Sequence, residues 1–248
     1  MTLRVEPDAE PAVEPPTRRP SRSIIAPAVR PFALVLLVAA GAVLAVLSFA
    51  YHGDHHGTSL DDRLAQHLNS SLGSTLSAAT LHASDQRMTV ALLVLVVVGA
   101  LLFRRWDVAV FAAASPILAI VLTEVVLKPI VDRYLSYDFA GIALPRSGAF
   151  PSGHETGLAS LTAELAVLAL RAPIAAAWRG LVVAALALWT AIGAVGLVAN
   201  LYHYATDTVG GVCVAIAVVL GVALLVDAAS ARLSSLAART RPSTSRAA

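Results

Sequence analysis

The chain has 248 residues, 57% hydrophobic and 14% charged, with a mean hydropathy of +0.74. These values exclude an ordinary soluble domain, because a bilayer-spanning helix needs about 20 mostly apolar residues and several such runs are present. A lone cysteine, Cys213, excludes a disulfide framework and a cysteine-rich metal site, and the net charge of +2 conceals that 17 of the 18 basic residues are arginine and one, Lys128, is lysine.

Residues 1–30 are rich in Pro, Glu and Arg and lack apolar periodicity, the composition of a disordered tail. The first apolar run covers about 31–51. Ser48-Phe49-Ala50 at its end resembles a signal-peptidase site, but the run is too long and its leader too extended for a typical signal peptide, so a retained helix is predicted. From His52 to Gln86 the chain is polar and holds five of its seven histidines. There Ser59-Leu-Asp-Asp62 reads as a capping box. Leu60, Leu64, Leu68 and Leu72 recur every four residues, which predicts a short amphipathic surface helix over about 60–72. The irregular setting of His52, His55, His56 and His67 favours an exposed polar loop over a metal site.

Further spans are predicted over about 88–103, 108–127, 157–170, 181–201 and 208–225. A Pro- and Gly-containing loop at 128–154 separates the third from the fourth, and a basic tail covers 228–248. The expected architecture is all-α: a polytopic six-helix membrane bundle over 31–227. Thirteen arginines fall in the two tails and in the loops after spans two and four, whereas Arg63, Arg87, Lys128, Arg133 and Arg146 fall on the other side. The positive-inside rule makes both tails cytoplasmic, in a multi-pass cell-membrane protein. All seven histidines, Lys128 and Asp207 are then segregated to the outer face, where a site is to be sought.

Three outer-face segments carry reactive groups, each next to a helix end. His203 and Asp207, four apart on a helical turn, share a face. The carboxylate can accept from one imidazole nitrogen and leave the other free as a nucleophile; alone, the same spacing also fits a capped helix entry. Pro151-Ser152-Gly153-His154 precedes a helix, so its N–H groups and the Ser152 hydroxyl can face an anion, and His154 can protonate a leaving oxygen; a plain N-cap turn reads the same way. Lys128 is either a phosphate-binding ammonium or a snorkelling anchor paired with Glu124 one turn earlier.

Taken together, Lys128, PSGH beginning 23 residues later and HxxxD beginning 49 residues after His154 resemble the type-2 phosphatidic acid phosphatase superfamily of membrane lipid phosphatases. The resemblance covers about residues 90–225. It implies His203 as the nucleophile that forms a phosphohistidine, Asp207 as its orienting partner, and His154 as acid and then base. Lys128, Ser152 and the Gly153 amide would hold the phosphoryl oxygens. It implies no metal or other cofactor, a lipid phosphate in the membrane as substrate, and no nucleic-acid role. Phosphoryl transfer independently calls for positioned positive charge, and neutral imidazole is available near neutral pH.

Two motifs depart from the family pattern. The first motif runs Lys, six residues, Arg-Pro, and here the last two positions are Leu135 and Ser136. The third begins Ser-Arg, and here those positions are Gly196 and Leu197. Arg133 and Arg146 are the candidates to supply the missing charge. Without it, several kcal/mol of transition-state stabilisation are lost, and the alternative is a weak or inactive member that binds lipid phosphates or scaffolds an envelope-synthesis complex. Intramembrane acids such as Glu124 and Glu164 also raise a transporter, but no inverted repeat or paired broken helices accompany them. Heavy use of Ala, Val and Arg suggests a GC-rich bacterial genome.

Overall fold

The computed structural model describes residues 23–136 and 146–239. Nearly all of the described chain is helical: α1 (Arg30–Ala50), α2 (Ser59–Ser71), α3 (Ser74–His82), α4 (Gln86–Leu102), α5 (Trp106–Val121), α6 (Lys128–Val131), α7 (Gly153–Arg171), α8 (Ala176–Ala199) and α9 (Ala205–Arg239). A π-helical segment, Leu122–Leu127, joins α5 to α6. Two short strands, β1 (Tyr134–Leu135) and β2 (Arg146–Ser147), pair antiparallel.

Among the described residues, five helical stretches are long and apolar enough to cross a membrane: Pro27–Ala50, Thr75–Leu102, Trp106–Val131, Ala176–Ala199 and Ala205–Leu236. The expected fourth span is α7, which is not among them. It carries Glu155, Glu164 and Arg171, and it can be this polar because it is the least lipid-facing helix: Glu155, Thr156, Ser160, Thr162 and Glu164 are all buried. It packs against α4, α5, α8 and α9. Threonine pairs bind it laterally, with Thr123 Oγ1 to Thr156 Oγ1 at 3.2 Å and Thr162 Oγ1 to Thr190 Oγ1 at 2.7 Å. Apolar residues such as Phe32, Val35, Val94, Leu95 and Leu188 point outward instead, as a lipid-facing surface requires.

Several expected boundaries shift. Residues 23–29 are not part of a tail. Ile24 and Ile25 are buried because the Asp227 carboxylate accepts from both their N–H groups, at 2.6 and 3.0 Å, and from Arg30 Nη2 at 3.1 Å. The expectation for residues 1–22 lies outside the described residues. At the other end, α9 continues through Arg239 rather than giving way to a tail at 228, since Ala, Leu, Arg and Ser maintain it and no Gly or Pro interrupts it before Pro242.

The predicted surface helix forms as α2, but its cap lies one residue earlier. The Thr58 hydroxyl accepts from Asp61 N at 3.1 Å while the Asp61 carboxylate accepts from Thr58 N. Leu60 and Leu64 face outward and Asp61 and Ala65 face in. A second short helix, α3, follows where only a polar segment was anticipated. Both dock on α8: Asn69 Nδ2 donates to Ala199 O at 2.7 Å, Asn200 Nδ2 to Ser77 O at 3.0 Å and Trp189 Nε1 to Ala83 O at 3.0 Å. The close approach needs Gly196, where an added Cβ would lie 2.4 Å from the Thr80 backbone.

Candidate active site

The three segments singled out in the sequence meet at one end of the bundle, and backbone hydrogen bonds make the junction. Ala149 N donates to Arg133 O at 2.9 Å, tying the 146–152 turn to the end of the π-helical arm. Ser152 N donates to Asp207 O at 3.0 Å, tying the same turn to the first residues of α9. The turn can seat this closely because α9 presents Gly210 and Gly211. A Cβ on Gly211 would lie 2.8 Å from Ser152 O, and one on Gly210 would lie 2.5 Å from the Phe150 ring.

Ser152 is the N-cap of α7, its Oγ accepting from Glu155 N at 3.3 Å. Gly153 and His154 therefore occupy the first turn, where free N–H groups and the helix dipole favour an anion. The His154 ring lies 6.2 Å, centre to centre, from the His203 ring and 6.2 Å from Tyr202. Burial holds the His154 imidazole below the ordinary histidine range, with His203 and Lys128 acting in the same direction.

His203 is held differently from expectation. Its Nδ1 lies 3.0 Å from the Ala149 carbonyl and 3.6 Å from Asp207 Oδ2, so the hydrogen bond goes to the backbone and the carboxylate is a neighbour beyond bonding distance. A carbonyl can only accept. Nδ1 therefore carries the proton, leaving Nε2 as the unprotonated nitrogen, the same tautomer that an Asp207 bond would have selected. The Asp207 carboxylate accepts instead from Tyr204 N at 3.0 Å and Arg133 Nη1 at 2.5 Å.

Arg133 also departs from its expected role as a phosphate clamp. It is completely buried. Its guanidinium bonds Asp207, Thr206 Oγ1 at 2.7 Å and Asp61 Oδ2 at 3.1 Å, and its Nε approaches Asp54 at 3.5 Å. The rings of Tyr51 and Tyr204 cover it at 4.0 and 4.4 Å. Burial alone would lower its pKa, but Asp207 and Asp61 outweigh that and raise it, so it stays charged. Burial would likewise raise the pKa of Asp61, yet the N–H groups of Thr206 and Thr58, the Thr58 hydroxyl and Arg133 together lower it. The cation is consumed in holding Asp207 and α2 in place and does not face an incoming anion.

Lys128 Nζ lies 2.7 and 2.9 Å from the two oxygens of Glu124, the pairing of the snorkelling alternative, but its position also fits the phosphate-binding one. A Cβ on Gly153 would lie 3.6 Å from Nζ and would collide with Glu124 Oε1. The Glu124 carboxylate thus packs against Gly153 at the start of α7. Of the two departures from the family pattern, Leu135 and Leu197 are both buried, while Ser136 N and Oγ bond the Tyr204 hydroxyl at 3.0 and 2.6 Å. The backbone of Arg146 pairs with Leu135; its side chain lies outside the described residues. Sequence reasoning missed the Ala149 carbonyl, which no side-chain pattern reveals, and the Asp54, Asp61, Tyr51 and Tyr204 enclosure of Arg133. An aspartate in the first turn of a helix reads as a cap, not as the partner of a distant arginine.

Residues 110–231 match the family model described as PAP2 superfamily. The fold is similar to the crystal structure of a transmembrane PAP2-type phosphatidylglycerolphosphate phosphatase from Bacillus subtilis, at 18% identity and a TM-score of 0.63, over 79% of this chain and 96% of that one. No curated protein matches the chain.

Proposed function

From the premise that the chain belongs, through residues 110–231, to the PAP2 superfamily of membrane phosphatases, we propose that it hydrolyses a lipid phosphate or pyrophosphate at the outer leaflet through a phosphohistidine. In this reading α7 crosses as the sixth helix and both termini are cytoplasmic. The observation that carries the proposal is the placement of His203, whose Nδ1 lies 3.0 Å from the Ala149 carbonyl and whose ring lies 6.2 Å from that of His154 at the start of α7.

His203 Nε2 attacks phosphorus and a P–N bond forms while the P–O bond to the leaving group breaks. His154 gives its proton to the departing oxygen, which leaves as the lipid alcohol, or as the lipid monophosphate from a pyrophosphate. Water then attacks phosphorus, His154 takes a proton from it, the P–N bond breaks, and inorganic phosphate leaves with His203 neutral again. Lys128 and the Gly153 amide hold the phosphoryl oxygens. Ser152 shapes that turn as the N-cap of α7, and Asp207, fixed by Arg133, supplies negative charge near His203 as the imidazole gains charge. Metal is not needed for any of these steps.

The test is inorganic phosphate release by detergent-purified protein, in the presence of EDTA, from phosphatidic acid, phosphatidylglycerophosphate, and polyprenyl phosphate and pyrophosphate. Release that is lost in His203→Ala and indifferent to EDTA is expected; full activity in the variant refutes the mechanism. A second reading, binding without turnover, is favoured by the buried leucines at 135 and 197 and by the enclosure of Arg133. Tight lipid-phosphate binding with no release by folded protein would select it.

A further inference from the structure

The opposite end of the bundle holds a second, unrelated cavity. A groove of about 770 Å³ opens between the 24–29 segment, α1, α7, α8 and α9, within the roughly 300–1,000 Å³ typical of ligand sites. Its depth comes from small residues, Ala163 and Ala166 on α7 and Gly180 on α8, and its walls from Phe32, Val167 and Val183. One wall is built rather than incidental, because the Asp227 carboxylate straps Ile24 and Ile25 against α9 through their N–H groups.

Among the described residues, two charged side chains line this groove, Arg171 in the last turn of α7 and Arg179 in the first turns of α8. Arg179 Nη1 donates to the Leu170 carbonyl at 3.3 Å, which brings its guanidinium across to the end of α7 beside Arg171. Trp178 at the start of α8 and Trp106 at the start of α5 are exposed, as tryptophans at a membrane interface are. Arg171 lies 17 residues along α7 from His154, about 25 Å at 1.5 Å per residue, so the groove is distinct from the candidate active site.

We propose that this groove binds an anionic phospholipid of the leaflet opposite the catalytic end, with a hydrocarbon chain along the apolar floor and the phosphate on Arg171 and Arg179. An apolar trough closed by two cationic forks matches an amphiphile with a negative head. A guanidinium binds phosphate oxygens bidentately, and basic pockets between membrane helices hold anionic head groups in this way. A zwitterionic lipid offers the same chain, but its head carries a positive group towards the arginines.

The full-length protein is purified in detergent, supplied with equimolar phosphatidylglycerol and phosphatidylcholine of identical chains, and read by native mass spectrometry, with thermal unfolding in lipid-free detergent as the folding control. Retention of phosphatidylglycerol at least tenfold above phosphatidylcholine is expected. Arg171→Gln/Arg179→Gln should bring the two to parity, and Gly180→Phe, at a position where a side chain meets open space, should lower both. Equal retention by the native protein, or an undiminished preference in the double variant, overturns the proposal. Undiminished retention of phosphatidylglycerol in Gly180→Phe does so too, since it places the lipid outside the groove.

Discussion

Replacing Arg133 separates two readings of the same residue. Arg133→Ala leaves the carboxylates of Asp61 and Asp207, both fully buried, without their cation. Breaking a buried ion pair by removing one partner costs about 3–5 kcal/mol, and the cover of Tyr51 and Tyr204 over the guanidinium adds about 1–2 kcal/mol. Against a total stability of roughly 5–15 kcal/mol, the variant should lose much of its folding free energy. Asp61→Asn, which retains shape and some hydrogen bonding, should lose less. The assay is thermal unfolding in detergent beside phosphate release, for Arg133→Ala, Arg133→Lys and Asp61→Asn. The expected pattern is a fall in the unfolding midpoint, large for Arg133→Ala and smaller for Asp61→Asn, with activity falling in parallel in all three. Were Arg133→Ala to unfold at the native temperature while kcat/KM collapsed, Arg133 would be a phosphate ligand and its assignment to the enclosure would be wrong.

Three further outcomes follow from the geometry. Because the pKa of Asp61 is lowered in the folded state, its stabilising contribution is present above the ordinary carboxylate value of about 3.9 and is lost as pH falls through the lower folded value. Asp61→Asn should therefore flatten the acid side of the unfolding profile, and an unchanged profile would contradict this. The pKa of His154 is also lowered, so kcat/KM, which needs its proton, should decline with rising pH from below about 6.5; a limb clearly above that value would exclude His154 as the acid in the free enzyme. Glu124→Gln should release Lys128 from its ion pair. A half-exposed pair of this kind is worth about 0.2–1 kcal/mol, so the inhibition constant for inorganic phosphate should fall by up to about fivefold, and a rise would show that Glu124 positions Lys128 for binding.

The long apolar runs could be read directly, because lipid asks only for hydrophobicity and length, and α1, α4, α5, α8 and α9 begin within about five residues of expectation. The run expected over 157–170 also forms a helix, α7, beginning four residues earlier at Gly153, and a helix surrounded by its neighbours can carry Glu155 and Glu164 that a lipid-facing one cannot. In the site, the motifs identified which residues converge, because helix ends and turn residues are local signals. They did not identify who bonds whom. His203 turns to the carbonyl of Ala149, a group every residue possesses, and Arg133 is claimed by Asp54 and Asp61 from a segment some 70 residues away. Leu135 and Leu197 read as gaps in a phosphate clamp; in three dimensions both are buried, and the neighbouring Gly196 is where α3 crosses α8.

The carboxylate of Asp61 begins α2, accepts from Thr206 N and Oγ1, and pairs with Arg133. Arg133 in turn grips Asp207. The outer helix is thus bolted to the turn that carries the imidazole rather than laid upon it. A wedge driven under α2, such as a fusion partner spliced between Tyr51 and Thr58 or a nanobody prising at Leu60, would wrench the His203 turn through that one shared joint. The outward-facing leucines are the long arm of a lever whose short arm ends beside His203.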